Sequence, residues 1–398
     1  MPRVLIIFSG AGLIMHLNEG AKHRLNCYIN CYKEAGYEVD VLCLFKDLSY
    51  WKSLKKYVDN SVHWIFVPYL FPRTKNKPLA LLLRYYKYLV GWLYSTIKHY
   101  DVVQSEVDGL PLRFIGDSSM RITDFHGDGY YEYTSKPTHK KWCSDNFLFD
   151  QVCSIKYSDV CITVSENLCK QLEKNTDTKI ATNSIISCGV NTELYNCNAY
   201  EGDLMKLTEN RIVLGYCGGL QVWQNIELIV DLAIKLYKQD NRIFLVIYTG
   251  FDISANLQKQ LDALGVENYY IKDLLPAEVP SYLKLLDAGF LLRDDLVLNT
   301  VSSPTKICEY LAAGVPMICT EYSGDYARSV RHGKEGFVLK NHPNYDFHTI
   351  TELLIYLKEV KTNRADYKKM CEMAASKRTF KSEFSLLDQL IRKGVKNV

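Results

Sequence analysis

Short, continuously apolar runs alternate with helical patterns along almost the whole chain, and they fall into two series. The first series is "VLIIFS", "EVDVLCLF", "VHWIFVPY", "DVVQSE", "RITDFHG", "VCITVSE" and "SIISCGV". Helical stretches such as 24–35 and 166–173 lie between them. A strand that is apolar along its length is buried on both faces, which is the property of parallel sheets covered by crossover helices. The pattern lapses in the polar segment "NCNAYEGDLMKLTEN" (196–210), and a second series follows: "RIVLGYCG", "RIFLVIYTG", "YYIKDL", "AGFLLR", "VPMICT" and "GFVL". A chain of 398 residues is also too long for one ordinary core. The expectation is an α/β protein of two Rossmann-like, doubly wound domains over 1–195 and 211–378, joined by a linker over 196–210. A last helix within 379–398 would return to the first domain.

Charge and cysteine usage narrow the classes of partner. A net charge of +3 gives no case for nucleic acid as a partner. The thirteen cysteines are scattered, and although Cys27 and Cys31 stand four apart, no paired CxxC array suits zinc. Free thiols in a cytoplasmic protein are expected. The apolar run in "MPRVLIIFSGAG" is too short for a signal peptide or a membrane span and reads as a first strand. From 60 to 100 there is no Asp or Glu, while Arg73, Lys75, Lys77, Arg84, Lys87 and Lys98 accompany many aromatics. Residues 71–100 therefore suit peripheral contact with an anionic membrane. They equally suit a helix buried on a sheet with its basic residues in water, and ordinary α/β packing favours that second reading.

The stretch "SSPTKICEYLAAGVPMICT" (302–320) carries the most chemistry. Ser303 suits an N-cap, Pro304 the first helical turn, and Gly314 the end of the helix. Amides around Ser302, Pro304 and Thr305, at the positive end of the helix dipole, make an anion site, and Lys306 adds a full charge. Glu309, one turn on, shares a face with Lys306 and suits a ribose diol. A capped structural helix with an exposed Lys–Glu pair explains the same residues.

With these residues the chain resembles the retaining GT-B glycosyltransferases of the group 1 type, which build bacterial surface glycans, in the form "SPTK…EYLA". "YCGGLQVWQN" (216–225), "VPSYLKLLDAGFLLR" (279–293), "RITDFHGDGYYEY" (121–133), "VCITVSENL" (160–168) and "SCGVNTELY" (187–195) resemble further family segments in the same order. The likeness is strong in the second domain and weak before about residue 100. It implies two domains facing a cleft, a nucleotide-diphosphate sugar as donor, a glycan or lipid-linked acceptor, and no metal or other cofactor. Gly10, Gly12, Gly218 and Gly219 would lie along the donor, with Ser302, Ser303, Pro304, Thr305 and Glu309. The family's usual two glutamates leave only Glu309 here, because the first position is Val301, and its Arg and Lys after the glycine loop fall on Gly219 and Gln224. Arg293 and Lys306 are then left to meet the phosphate charge.

His126 is implied to hydrogen-bond the donor sugar near its reacting carbon. Asp128 and Glu132 would meet the acceptor or only solvate their loop, and Arg24, with Glu19 and Lys22, would meet the acceptor or form a solvated face. Asp294–Asp295 is rejected as a metal site, since adjacent carboxylates on an extended chain point apart. No carboxylate pair is evident for a double displacement, and the resemblance implies transfer with retention by front-face attack. Two other readings remain open on the same fold: a nucleotide-sugar epimerase, and a non-catalytic partner of another transferase.

Overall fold

The computed structural model describes the chain except residues 9–19, 46–60, 69–85, 87–88, 107–109, 117–118, 136–138, 326, 328–329, 341 and 396–398. It divides into two compact units, one made of Met1–Ser187 with Phe380–Val398 and the other of Cys188–Thr379. Residues 188–195, assigned from sequence to the first domain, lie in the second unit, where Tyr195 is buried. The expected linker is part of that unit too, and Asp203–Thr208 within it is helical.

The first unit holds seven strands: β1 (Arg3–Phe8), β2 (Glu38–Phe45), β3 (His63–Pro68), β4 (Val102–Glu106), β5 (Met120–Phe125), β6 (Val160–Thr163) and β7 (Asn183–Ile185). Their order is β3-β2-β1-β4-β5-β6-β7, and every pairing is parallel. Alternate residues of β1 serve opposite cores. Val4, Ile6 and Phe8 pack with Tyr28 and Tyr32, while Leu5 and Ile7 pack with Tyr100 and Leu112. Successive residues of such a strand are therefore mostly apolar, which is why the runs are continuous in the sequence.

The last helix, Phe380–Val395, joins this unit through Phe380, Phe384, Leu387 and Ile391, a spacing that lines one helix face. Phe380 meets the Tyr28 ring edge-on at 4.8 Å, and Phe384 meets Tyr32 in the same way at 4.8 Å. Glu383 on the same helix accepts from the Ser187 amide at 2.6 Å and from its hydroxyl.

The second unit holds β8 (Ile212–Cys217), β9 (Ile243–Tyr248), β10 (Tyr269–Lys272), β11 (Ala288–Leu291), β12 (Met317–Thr320) and β13 (Gly336–Leu339). The order β10-β9-β8-β11-β12-β13 is again all parallel. It is the doubly wound order, in which ligands bind beyond the carboxyl ends of the strands where the order reverses. In this unit the reversal falls between β8 and β11, in the other between β1 and β4.

The segment 71–100 lies largely outside the described residues. Where it is described, its helix over 89–97 turns Val90 and Tyr94 towards the core beside Tyr100. Leu89, Trp92, Leu93 and Ile97 face solvent, Ile97 being 75% exposed. The described part of the segment thus packs Val90 and Tyr94 on the core while its other apolar residues face outward. No helix among the described residues is long and apolar enough to cross a membrane.

Candidate functional site

In the second unit, the carboxyl ends of β8 and β11 place Gly218 and Arg293 beside the start of the helix Thr305–Ala312. The cap differs from the sequence expectation. Pro304 holds the N-cap position and no side chain caps the helix. Ser303 is turned away, its Oγ accepting from the Cys188 amide at 3.0 Å, and Ser302 donates its hydroxyl to the Asn299 carbonyl at 2.7 Å. The helix thus opens with its dipole uncompensated by a side chain. It closes as expected, with Gly314 at φ +75° after the C-cap residue Ala313.

Lys306 lies over the Tyr216 ring at 5.1 Å, and its Nζ donates to Gln224 Oε1 at 3.0 Å. Gly218 makes room for it. At φ +144° a Cβ there would stand 2.6 Å from Nζ of Lys306, so only glycine leaves the amine in place. Arg293 is buried, donates from Nη1 to the Trp223 carbonyl at 2.6 Å, and its Nε has no partner among the described residues. Burial, then the like charge of Arg293, pushes the Lys306 amine down to about 8. Burial lowers Arg293 as well, with Tyr216 and Asp294 opposing.

Among the described residues no carboxylate lies within ion-pair distance of either cation. Glu309 is set one turn from Lys306, and burial raises its carboxyl while Lys306 pulls the other way. Two cations in so dry a place are costly unless an anion arrives. Thr305 opens the helix beside them, and Gly219, the next residue of the loop, accepts from the Tyr216 hydroxyl. Asp294 is not a ligand in waiting, since its Oδ1 accepts from Asn225 at 3.0 Å and meets His342 Nε2 at 2.7 Å.

In the first unit, neighbouring positions on β4 and β5 bring Glu106 opposite Asp124, and His126 follows two residues later. Arg24 is not on a solvated face. It is buried, and its Nε and Nη2 clasp the two oxygens of Asp124 at 2.7 Å each, while Nη1 reaches the Ser187 carbonyl. His126 Nε2 bonds Asp124 Oδ2 at 2.7 Å and lies 3.9 Å from Glu106 Oε2. Burial pushes Asp124 up, but Arg24 and then His126 hold it well below the usual carboxylate range. Glu106, Asp124 and His126 bring three ligand-type atoms within 4.8 Å of one another. The donor set does not suit a metal, because Arg24 fills both Asp124 oxygens and Asp124 holds His126 Nε2.

Asp128 is also structural. It is fully buried and caps the helix Gly129–Thr134 by accepting from the Tyr131 amide at 3.1 Å. It further accepts from Gln151 at 2.9 Å and Asn175 at 2.5 Å, so its described hydrogen bonds all lie within the fold. Glu132 is exposed, with Oε1 2.6 Å from where a Cβ on Gly127 would sit. Gly10 and Gly12, with Glu19, lie outside the described residues.

Sequence reading missed Tyr216, Asp124 and Glu106. For the two carboxylates a signal exists, since each is an acid at the carboxyl end of a buried strand, "VVQSE" and "MRITDF".

Comparison with known proteins places this architecture. Residues 205–373 match the family model of glycosyl transferases group 1. A teichuronic acid biosynthesis glycosyltransferase assigned to Bacillus subtilis (strain 168), TuaH, is 27% identical over 168 residues. That match spans 42% of this chain and 41% of TuaH, so the chain covers about two-fifths of that relative. HepE of Anabaena, solved in complex with UDP, superposes with a TM-score of 0.69 at 15% identity, over 99% of this chain and all of that one. Sucrose-phosphate synthase of Thermosynechococcus elongatus gives 0.70 at 14% identity over the full length of both. Residues 205–373, in the second unit, are thus similar to glycosyl transferases group 1, and the two parallel-sheet units have the GT-B fold of these solved structures.

Proposed function

We propose that the chain transfers a sugar, with retention of configuration, from a nucleotide-diphosphate sugar to a glycan or lipid-linked acceptor, in the assembly of a bacterial surface polysaccharide. The observation that carries this reading is a buried arginine, Arg293, beside a half-buried lysine, Lys306, with no carboxylate paired to either among the described residues and an uncapped helix start next to them. A diphosphate is the group that such a place fits. The UDP bound by HepE and the teichuronic acid assignment of TuaH support the same class of donor and product.

In this reading Lys306, Arg293 and the amides of Thr305 and Lys306 hold the diphosphate, and Glu309 takes the ribose. The bond between the anomeric carbon and the phosphate oxygen breaks while the acceptor hydroxyl oxygen bonds to that carbon. The departing phosphate takes the acceptor's proton, and the fixed cations stabilise the charge that develops on it. His126 hydrogen-bonds the transferred sugar. Asp124 is no nucleophile for a double displacement, since Arg24 holds both its oxygens. No metal or other cofactor takes part.

Screening nucleotide sugars for thermal stabilisation and then for release of the nucleoside diphosphate tests the proposal. One donor is expected to stabilise and to turn over in the wild type. Failure of every donor to bind, or unchanged turnover in Lys306→Ala and Arg293→Ala, would refute it. The exposed stripe Leu89, Trp92, Leu93 and Ile97, in a region free of acidic residues, further supports peripheral attachment to the cytoplasmic face of an anionic membrane. Flotation with vesicles of anionic lipid should recover the protein at low salt and less at high salt. No recovery at low salt, or none lost in Leu93→Glu with Ile97→Glu, overturns it.

A further inference from the structure

Among the described residues of the first unit, Glu106 is a buried ionisable group that has no hydrogen-bond partner and no part in the proposed chemistry. Glu106, at the carboxyl end of β4, is 2% exposed, and neither of its oxygens has a hydrogen-bond partner among the described residues. A buried carboxylate without partners is costly, so its persistence in this fold calls for a reason. The charges around it are Arg24, Asp124 and His126, with the Tyr28 phenol beyond them. Arg24 and Asp124 cancel each other in their two-pronged pair. What remains is Glu106 facing His126 across 3.9 Å.

We propose that Glu106 is a positioning residue that shares a single proton with His126 and so decides whether the free Nδ1 of that ring donates or accepts a hydrogen bond. Nε2 is committed to Asp124, which fixes its proton there. With the shared proton on the ring, Nδ1 carries a hydrogen and donates. With the proton on Glu106, Nδ1 is a lone pair and accepts. Both forms leave the four groups uncharged overall, which is why the burial of Arg24, Glu106 and Asp124 tolerates either and resists loss of the proton. In accord with this, burial pushes the Glu106 carboxyl up to about 7, with His126 pulling it down and Asp124 pushing it up. The consequence for catalysis, that a sugar hydroxyl or phosphate oxygen meets a donor or an acceptor according to Glu106, rests on the transferase reading; the proton sharing does not.

The test uses the full chain with carbon-13 in the glutamate side-chain carboxyls, followed by NMR as the pH is raised. One signal is expected to titrate near pH 7, to be missing in Glu106→Gln, and to move to higher pH in His126→Asn, where the opposite charge is gone. The movement expected is about one to three pH units, the usual effect of a close opposite charge. Thermal unfolding of both variants checks that they fold, and Glu106→Asp, which keeps a carboxyl, should restore a titrating signal. Absence of any glutamate signal above the ordinary carboxylate range, or a Glu106 midpoint unmoved by His126→Asn, overturns the proposal. No substrate is involved, so that outcome would leave the transferase function standing. With a donor in hand, the kcat profile of the wild type should carry a limb near pH 7 that Glu106→Gln lacks.

Discussion

The two units treat buried charge in opposite ways. In the first, Arg24 and Asp124 are matched oxygen for nitrogen, and His126 is fastened to the same carboxylate. In the second, Lys306 and Arg293 stand near each other, held only by a glutamine, a tyrosine ring and a carbonyl. A matched pair is finished when the chain folds. An unmatched one is finished only when something anionic binds, and until then it costs stability. The difference separates structural ions from binding ions more reliably than their residue types do, since each unit uses an arginine.

Breaking the matched pair should have the largest effect on folding. Arg24→Ala leaves Asp124 buried and alone, and should cost about 3–5 kcal/mol in denaturant unfolding; a loss below about 1 kcal/mol would show that the pair does not hold the unit. Lys306→Ala should do the reverse. Transfer is expected to fall by about 10²–10³ in kcat, while the thermal midpoint stays level or rises. A large drop in the midpoint would mean that Lys306 is structural after all. Gly218→Ala, which drives a Cβ into Lys306, should weaken binding of a nucleoside diphosphate by calorimetry while costing only about 1 kcal/mol in stability. Asp128→Ala should cost about 1–2 kcal/mol through the lost cap and leave KM for the acceptor unchanged; a raised KM would return Asp128 to the acceptor site.

The pH dependence of stability has opposite signs in the two units. Lys306 titrates near 8 in the folded chain, below the about 10.4 of an unfolded lysine. Between those values the unfolded chain binds more protons, so this group makes stability rise with pH. Glu106, near 7 when folded, lies above the about 4.3 of an unfolded glutamate. Its contribution is complete below about 4.3 and is lost as pH rises to about 7. Measured as differences from the wild type, Lys306→Met should flatten the alkaline rise and Glu106→Gln the acidic fall.

The apolar runs read from the sequence became the thirteen strands among the described residues, and the break near 200 separated two series that form two sheets. Those features are local, because a strand buried on both faces must be written in apolar residues. The fate of the charged residues was not legible in the same way. Arg24 and Asp128 read as surface groups until their partners are known, and those partners stand at Asp124, one hundred residues away, and at Gln151 and Asn175. Ser303 illustrates the same limit at short range, since a perfect cap signal lost its hydroxyl to the Cys188 amide.

Sequence alone therefore determined the type of the strands and their grouping into two series, and it singled out Lys306 and Arg293, which the fold brings together beside one helix start. Only the tertiary structure decided which charges are matched. Hydrophobic patterning is set by a residue's own element, but the state of a charge is set by whatever the fold brings within a few ångströms of it. For this chain that meant moving Arg24 and Asp128 into the structure and drawing Glu106 out of an ordinary strand.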